Sequence, residues 1–363
     1  MQSLDEKTWK QLSAFGDGAP LHIETTNSSI DGIRLIDDGE KSVPYITRSD
    51  ANNGLARFVS AKNYEFGSDD GGCITVGLDT QTAFYQPHKF VTGQNVQVIT
   101  GENISEDVAQ FLVPILRQQM TAKFNWGGNG ATLGRMKRLS VMLPVTDSGE
   151  PDYEYMAEYA RQKRNAMLAK YRAYVEECIA QLGEVAEIPA LDEKEWKPIF
   201  ISSMFELVRG RENNMAMLEN GDIPLISAKA NNNGLKGFVH SPKKVIAGQC
   251  ITLNNDGDGG AGLAYYQPAN MALDTHVTAL MPRFDMSMFT MLFIAECISG
   301  LHGFFGHGLS ISNPRAKRIR IMLPVTDSGE PDYEYMEQYA KNMMLRKYRQ
   351  YLAFLGQSDQ DTQ

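Results

Sequence analysis

Hydrophobic and polar positions alternate between two regimes along this chain. Between residues 1 and 143, and again between 196 and 323, short runs rich in Val, Ile, Thr, Phe and Tyr stand between turns of Gly and Asn, as in Ile74-Thr75-Val76 and Ile251-Thr252-Leu253. Runs of that length and composition predict short strands. Two stretches, Val108 to Phe124 and Met286 to Ile298, lack this punctuation and carry Leu, Met, Phe and Ala at helical spacing, which predicts one packed helix in each globular segment. From Asp152 to about Gly183, and from Asp332 to about Leu355, neither Pro nor Gly intervenes. These segments predict rods of roughly 47 and 36 Å at the helical rise. Asp152 and Asp332 are suited to cap them, and Glu154 and Glu334 favour the positive helix end. Met156, Ala160, Met167, Tyr171, Tyr174 and Cys178 form a narrow stripe on the first rod, answered by Met336, Ala340, Met343, Tyr351 and Leu355 on the second. A stripe this narrow predicts helix pairing, with packing of each helix on its own domain as the competing arrangement.

The two halves of the chain are copies of one another. Leu143 to Met156, LPVTDSGEPDYEYM, returns unchanged at Leu323 to Met336, an offset of 180 residues. Upstream, Pro44, Ile46, Asn52-Asn53-Gly54-Leu55 and Phe58-Val59 answer to Pro224, Ile226, Asn232-Asn233-Gly234-Leu235 and Phe238-Val239. Cys73-Ile74-Thr75 matches Cys250-Ile251-Thr252, Tyr85-Gln86-Pro87 matches Tyr266-Gln267-Pro268, and Trp9-Lys10 and Trp196-Lys197 open the copies. A period this long means duplicated domains, since solenoid and propeller repeats run about 20 to 50 residues. The expected organisation is an α+β chain with globular domains at 1–143 and 196–323, a central helix and acidic linker at 144–195, and a C-terminal helix and tail at 324–363.

Composition narrows the class. At 363 residues two cores are expected, and no apolar run approaches the roughly 18 to 20 residues of a membrane helix. The N-terminus lacks the basic start and apolar stretch of a signal peptide, so the expectation is a soluble, cytoplasmic protein. Cys73, Cys178, Cys250 and Cys297 form no C-x-x-C pair and read as small buried hydrophobes. The net charge of -9 argues at first sight against nucleic acid, yet its distribution is uneven: -3 over 1–143, -6 over 144–195, +3 over 196–323 and -3 over 324–363. Acid concentrates in the helical segments, so any phosphate contacts must come from local patches of the globular ones.

Two diverged domains alternating with two similar helices resemble the specificity subunit of type I restriction-modification systems, and of those type IIB enzymes whose nuclease and methyltransferase share one chain. Trp196-Lys197-Pro198-Ile199-Phe200 through Phe205-Glu206-Leu207, Ile223-Pro224-Leu225-Ile226, Asn232-Asn233-Gly234, Tyr265-Tyr266-Gln267-Pro268 and the closing Leu323 to Met336 carry the resemblance, which covers nearly the whole chain. It implies two target recognition domains that each read half of a split double-stranded DNA site, and helices that pair antiparallel as a spacer. It also implies docking of two DNA methyltransferase or fused nuclease-methyltransferase subunits. S-adenosylmethionine and Mg²⁺ would then reside on those partners, with none bound directly here. The copies diverge where the first has Gly77-Leu78-Asp79 and the second the Gly-rich Asn254 to Gly260, and before Arg135 and Arg315, which makes these loops candidates for different specificities.

Base reading calls for Arg, Lys, Asn and Gln on loops, because these match guanine and adenine edges in the major groove. The candidates are Arg48, Asn52, Asn53 and Arg57 in the first copy and Lys229, Asn231, Asn232 and Lys236 in the second. An Asn-Asn-Gly run equally serves as a turn, because Asn tolerates left-handed backbone. Arg135, Lys137 and Arg138, with Arg315, Lys317 and Arg318, are basic clusters suited to phosphates or to a solvated strand edge. Asn129, Lys243, Lys244, Arg283 and His307 are further candidate contacts on loops. Catalytic patterns are not legible: the Gly127 to Gly134 run lacks a G-K-[ST] ending, Asp256 to Gly260 lacks the twelfth-position Glu of a calcium loop, and no H-E-x-x-H occurs. The competing readings are a bivalent protein scaffold, favoured by the net charge, and an enzyme with an unrecognised site.

Overall fold

A computed structural model describes residues 2–16, 19–124, 130–213, 217–257, 260–306 and 309–360. The chain divides into two units, 1–171 and 172–363, the division falling inside the first long helix. In the first unit the elements run β1 (Trp9–Ser13), β2 (His22–Thr25), β3 (Val43–Ile46), β4 (Leu55–Val59), β5 (Cys73–Gly77), β6 (Ala83–Gln86), β7 (Val91–Thr92), β8 (Val96–Thr100), α1 (Glu106–Lys123), α2 (Leu133–Met136), β9 (Ser140–Pro144) and α3 (Tyr153–Leu182). β2, β8, β5 and β6 form one sheet in that order, β4, β3 and β7 a second, and β1 pairs with β9. All five residues of β5 are buried because it lies inside its sheet. The apolar stripe of α1, with Val108, Leu112, Leu116 and Met120, packs with Ile74, Val76 and Ile99 of that sheet. Ser105 caps α1 by accepting from the Val108 N–H at 3.2 Å.

The second unit repeats the plan with β10 (Trp196–Phe200), α4 (Ile201–Met204), β11 (Phe205–Arg209), β12 (Asn220–Ile226), β13 (Leu235–Val239), β14 (Val245–Ile246), β15 (Cys250–Asn254), β16 (Ala264–Gln267), β17 (Met271–Leu273), β18 (Val277–Pro282), α5 (Met288–Ser299), α6 (Asn313–Ala316), β19 (Arg320–Pro324) and α7 (Tyr333–Gln360). Its sheets are ordered β11-β18-β15-β16 and β13-β12-β17-β14, with β10 paired to β19. Registers coincide: Trp9 faces Pro144 and Trp196 faces Pro324. Trp9 stacks on Phe111 and Trp196 on Phe293, both at 6.2 Å, and Tyr159 and Tyr339 meet those phenylalanines edge-on at 5.6 and 5.5 Å.

The repeated fourteen residues fold identically. Gly149 and Gly329 adopt φ of 83° and 86° in a tight turn, and Thr146 and Thr326 each donate an N–H to the Glu150 or Glu330 carbonyl at 2.9 Å. Asp152 and Asp332 cap the long helices as expected, accepting from the Tyr155 and Tyr335 N–H groups at 3.0 Å. Their second oxygens bind Lys7 at 2.6 Å and Lys194 at 2.7 Å. Burial raises both pKa values, but the lysine and the backbone N–H outweigh it and hold both carboxyls below the usual aspartate value.

The stripe read on the long helices needs correction in its middle. Met156 and Met336 are fully buried, but Met167 is 71% exposed and Tyr174 53%, whereas Val175 and Leu345 lie at 0%. The buried face changes along each rod because its neighbours change: Met156 and Met336 pack into the globular cores at the first turns, whereas Val175 and Leu345 lie farther along, beyond those cores. In the second unit the last turns of α3 run antiparallel to α7: Tyr174 and Cys178 lie against Tyr348, and farther on Ala186 is held by Asn342 through bonds of 3.0 and 2.8 Å. Among the described residues no helix is long and apolar enough to cross a membrane.

Candidate nucleic-acid interface

The shared Asn-Asn-Gly segments follow β3 and β12 as tight turns. Asn52 and Asn53 adopt φ of 50° and 54°, and Asn232 and Asn233 both adopt 50°, with Gly54 and Gly234 at 79° and 75°. A side chain on Gly54 would meet the Thr47 carbonyl oxygen at 2.9 Å. The turn is latched from β6: Gln86 Nε2 donates to the Asn53 carbonyl and to Thr75 Oγ1, both at 3.0 Å. Gln267 does the same to Asn233 and Thr252 at 2.9 and 3.0 Å. This explains why Tyr-Gln-Pro recurs beside Asn-Asn-Gly in both copies. The four asparagine side chains are exposed, so the turn displays them while its backbone is fixed from below.

In the first unit a loop cluster forms beside this turn. Arg48 Nη1 pairs with Asp79 Oδ2 at 2.6 Å, and Asn95 Nδ2 donates to the same oxygen at 3.1 Å. Leu78 is bonded on both sides, its N–H to the Asn95 carbonyl at 3.0 Å and its carbonyl to the Ala131 N–H at 2.9 Å. Arg135 Nη1 reaches the Gly130 carbonyl at 3.1 Å, so Arg48 and Arg135, 87 positions apart in sequence, meet around one loop. Lys137 and Arg138 follow, exposed, past the end of α2. Arg57 turns elsewhere, donating to the Gly32 carbonyl at 3.1 Å. Arg117, absent from the sequence-based candidates, bonds Asp50 at 2.5 Å and lies 5.1 Å over the Phe84 ring.

The second unit builds the same cluster with other residues. Asn255 donates its N–H to the His276 carbonyl at 2.8 Å and accepts from Ile311 at 2.7 Å, as Leu78 does with Asn95 and Ala131. Asp256 is partnered by His276 Nδ1 at 2.7 Å. Lys229 Nζ donates to the Leu235 carbonyl at 3.2 Å, and Asn231 and Lys236 are exposed on either side of the turn. Asn313 at the start of α6 lies 3.3 Å from Thr278 Oγ1, which also bonds Asn255 at 3.0 Å. Past the end of α6 stands a basic ridge centred on Ser202, whose hydroxyl donates to the Lys317 carbonyl at 2.8 Å and whose carbonyl accepts Arg283 Nε at 3.1 Å. Arg320, also missed in sequence, covers Phe200 at 4.8 Å. Arg315 bonds the Ser310 carbonyl, Lys243 bonds Asn213 Oδ1, and the Lys244 N–H meets Glu212 Oε1 at 3.3 Å. Asn129 and His307 lie outside the described residues.

Among the described residues no three His, Cys, Asp or Glu side chains gather to hold a metal ion. Burial pushes the thiols of Cys73, Cys250 and Cys297 up to about 12, opposite to what a nucleophile needs.

Comparison with known proteins adds independent support. The family model described as Type I restriction modification DNA specificity domain matches residues 22–169 and 193–351. The specificity subunit S.BcgI of a type II restriction enzyme from Heyndrickxia coagulans is 25% identical over 306 residues, covering 84% of this chain and 86% of that protein. Among solved structures, the S subunit of a type I restriction-modification system from M. genitalium aligns over 100% of this chain and 96% of its own, with 14% identity and a TM-score of 0.48. The HsdS subunit from Thermoanaerobacter tengcongensis aligns over 96% and 91%, with 15% identity and a TM-score of 0.31. With both copies of the duplicated unit matched by one family model, this chain is a specificity subunit of a restriction-modification system and belongs to the type I restriction-modification DNA specificity domain family, whose domain it carries twice.

Proposed function

We propose that the chain reads a bipartite double-stranded DNA site, one short block per globular domain, and performs no chemistry of its own. The observation that carries this reading is the contrast between an invariant frame and divergent loops. The Asn-Asn-Gly turn, its Gln latch and the capped turn before each long helix are the same in both units. The loops they support differ in length and in the partner of their aspartate, Arg48 for Asp79 and His276 for Asp256. Two readers on one frame suit two different half-sites. Linking them makes the second contact intramolecular, which multiplies affinity without new contacts.

Catalysis then belongs to partner chains, a DNA methyltransferase with its nuclease fused or separate, acting on adenines in the cytoplasm. S-adenosylmethionine and Mg²⁺ would be held by those partners, as the family resemblance implies. The identical turns at 143–156 and 323–336 each expose three carboxylates, Asp147, Glu150 and Glu154 in one and Asp327, Glu330 and Glu334 in the other. Equal surfaces of this kind suit two equal partner subunits. Sequencing of modified bases in DNA from cells expressing this chain with its methyltransferase tests the reading. Methylated adenines should fall within one motif of two short blocks at a fixed gap; a single continuous motif, or none, would contradict it.

A further inference from the structure

The pairing of Arg48 with Asp79 has a consequence for which base the first domain selects. Resting on the DNA-recognition reading above, we propose that Arg48 reads a guanine in the half-site of the first domain, that Asp79 is its positioning residue, and that the second domain lacks this reader.

Three contacts fix Arg48. Thr80 Oγ1 donates to its carbonyl at 2.7 Å. Its Cβ stands 3.0 Å from where a side chain on Gly77 would begin, so Gly77 permits the close approach. Its Nη1 is held at 2.6 Å by Asp79, whose same oxygen accepts from Asn95 at 3.1 Å. Asp79 itself sits on a rigid loop, bounded by the Leu78 bonds and by Gln81, whose Nε2 donates to the Leu78 and Asp79 carbonyls at 3.3 and 3.0 Å. The Arg48 side chain nevertheless remains 47% exposed, and among the described residues nothing engages its Nε and Nη2 edge. An ion pair so exposed adds little to stability. What it supplies is orientation: with Nη1 tied back, the parallel Nε–H and Nη2–H donors face solvent in the fork that matches guanine O6 and N7.

The second unit solves the same position differently. Ala228 stands where Arg48 does, counted from the shared Pro44 and Pro224, and Asp256 stands where Asp79 does. Two glycines of the longer loop stand close to Ala228: a side chain on Gly257 would lie 3.4 Å from the Ala228 Cβ, and one on Gly260 2.9 Å from its carbonyl oxygen. Asp256 is occupied by His276 in place of an arginine. The neighbouring Lys229 is turned inward onto the Leu235 carbonyl. Loop length and side chain are thus coupled, the short loop with an arginine and the long loop with an alanine.

Selection from randomised duplex DNA by the full chain in complex with its partner, compared with Arg48→Ala, Arg48→Lys and Asp79→Asn, tests the inference. The wild-type complex should select two blocks. Arg48→Ala should lose preference for guanine at one position of one block, by about five- to hundredfold, and Arg48→Lys, which keeps the charge but not the planar fork, should weaken it at that position, leaving every other position intact. Asp79→Asn should weaken preference at that same position and no other. Arg48→Lys keeps the charge and the stem, so it decides the matter if the alanine variant fails to fold. If both Arg48 variants select the wild-type motif unchanged, or merely bind all sequences more weakly as loss of a phosphate contact would cause, the inference is overturned. If the wild-type complex selects no motif at all, the recognition reading itself fails and takes the inference with it.

Discussion

Replacing Gln86 by Met should loosen the Asn-Asn-Gly turn of the first domain while leaving the second untouched. Gln86 is 6% exposed and spends both amide hydrogens on the turn frame, at 3.0 Å to the Asn53 carbonyl and 3.0 Å to Thr75 Oγ1. Methionine refills the volume, so no cavity term arises. The Asn53 carbonyl belongs to an exposed turn and regains water, which limits its loss to about 0.5 kcal/mol. Thr75 is 3% exposed, and its hydroxyl loses a donor that water cannot replace, at about 1 to 2 kcal/mol. Together these amount to about 2 kcal/mol, or roughly thirtyfold faster amide exchange if the turn opens locally. Hydrogen-exchange mass spectrometry reads this directly, because the Thr47 and Gly54 amides bond within the turn at 2.8 and 3.0 Å. Peptides covering 47–59 should accelerate and those covering 227–239 should not; Gln267→Met should give the mirror result. Acceleration under about threefold, or equal acceleration in both peptides, would refute the latch.

Other expectations rest on single contacts. Gly54→Ala must hold φ near 79° with a Cβ 2.9 Å from the Thr47 oxygen, so it should destabilise the first unit by about 2 kcal/mol. Gly237→Ala, with nothing within 4 Å, should stay within about 0.5 kcal/mol, both measured by urea unfolding. Asp152→Asn keeps a capping oxygen but loses the charge on Lys7, and should cost about 1 to 2 kcal/mol at pH 7. The folded pKa of Asp152 lies below its ordinary value of 3.8, so this stabilisation is complete above that pH and is lost as pH falls through the folded value. Wild type and variant should therefore converge once the pH falls below the folded value of Asp152, and a gap that persists in stronger acid would assign the effect elsewhere. Cys73 and Cys250, with thiols pushed up to about 12 by burial, should resist iodoacetamide until the chain unfolds, as intact-mass measurement would show.

Much of the architecture was legible because it depends on local signals. Unbroken stretches without Gly or Pro marked α3 and α7, and the aspartate before each marked its cap. The repeat announced two domains because both copies keep the residues of the frame. Legibility ended where long-range contacts decide. Nothing local shows that Trp9 pairs across to Pro144, or that Asn342 would be buried to hold the linker at Ala186. The buried positions Val175 and Leu345 were not legible, because which face of a long helix is covered depends on the neighbours it meets beyond its own globular core. Among the candidate contacts, Arg48 and Arg135 meet around one loop while Arg57 points to Gly32. Asn95 and His276 gave no signal, and Asp79 stood out only as part of a divergent loop, since a positioning role exists only once the chain has folded.

The central claim is that specificity resides in the loops while the frame is interchangeable, and an exchange of domains tests it most directly. The Ala14 N–H bonds the Leu139 carbonyl at 2.9 Å, and the Ile201 N–H bonds the Ile319 carbonyl at 3.0 Å, so residues 14–139 fit between β10 and β19 at an equivalent joint. A chain carrying residues 14–139 in place of 201–319, expressed with its methyltransferase, should direct methylation to a site in which the block of the first domain occurs twice. Methylation of the wild-type motif by that chain, or of a motif still containing the block of the second domain, would contradict the account.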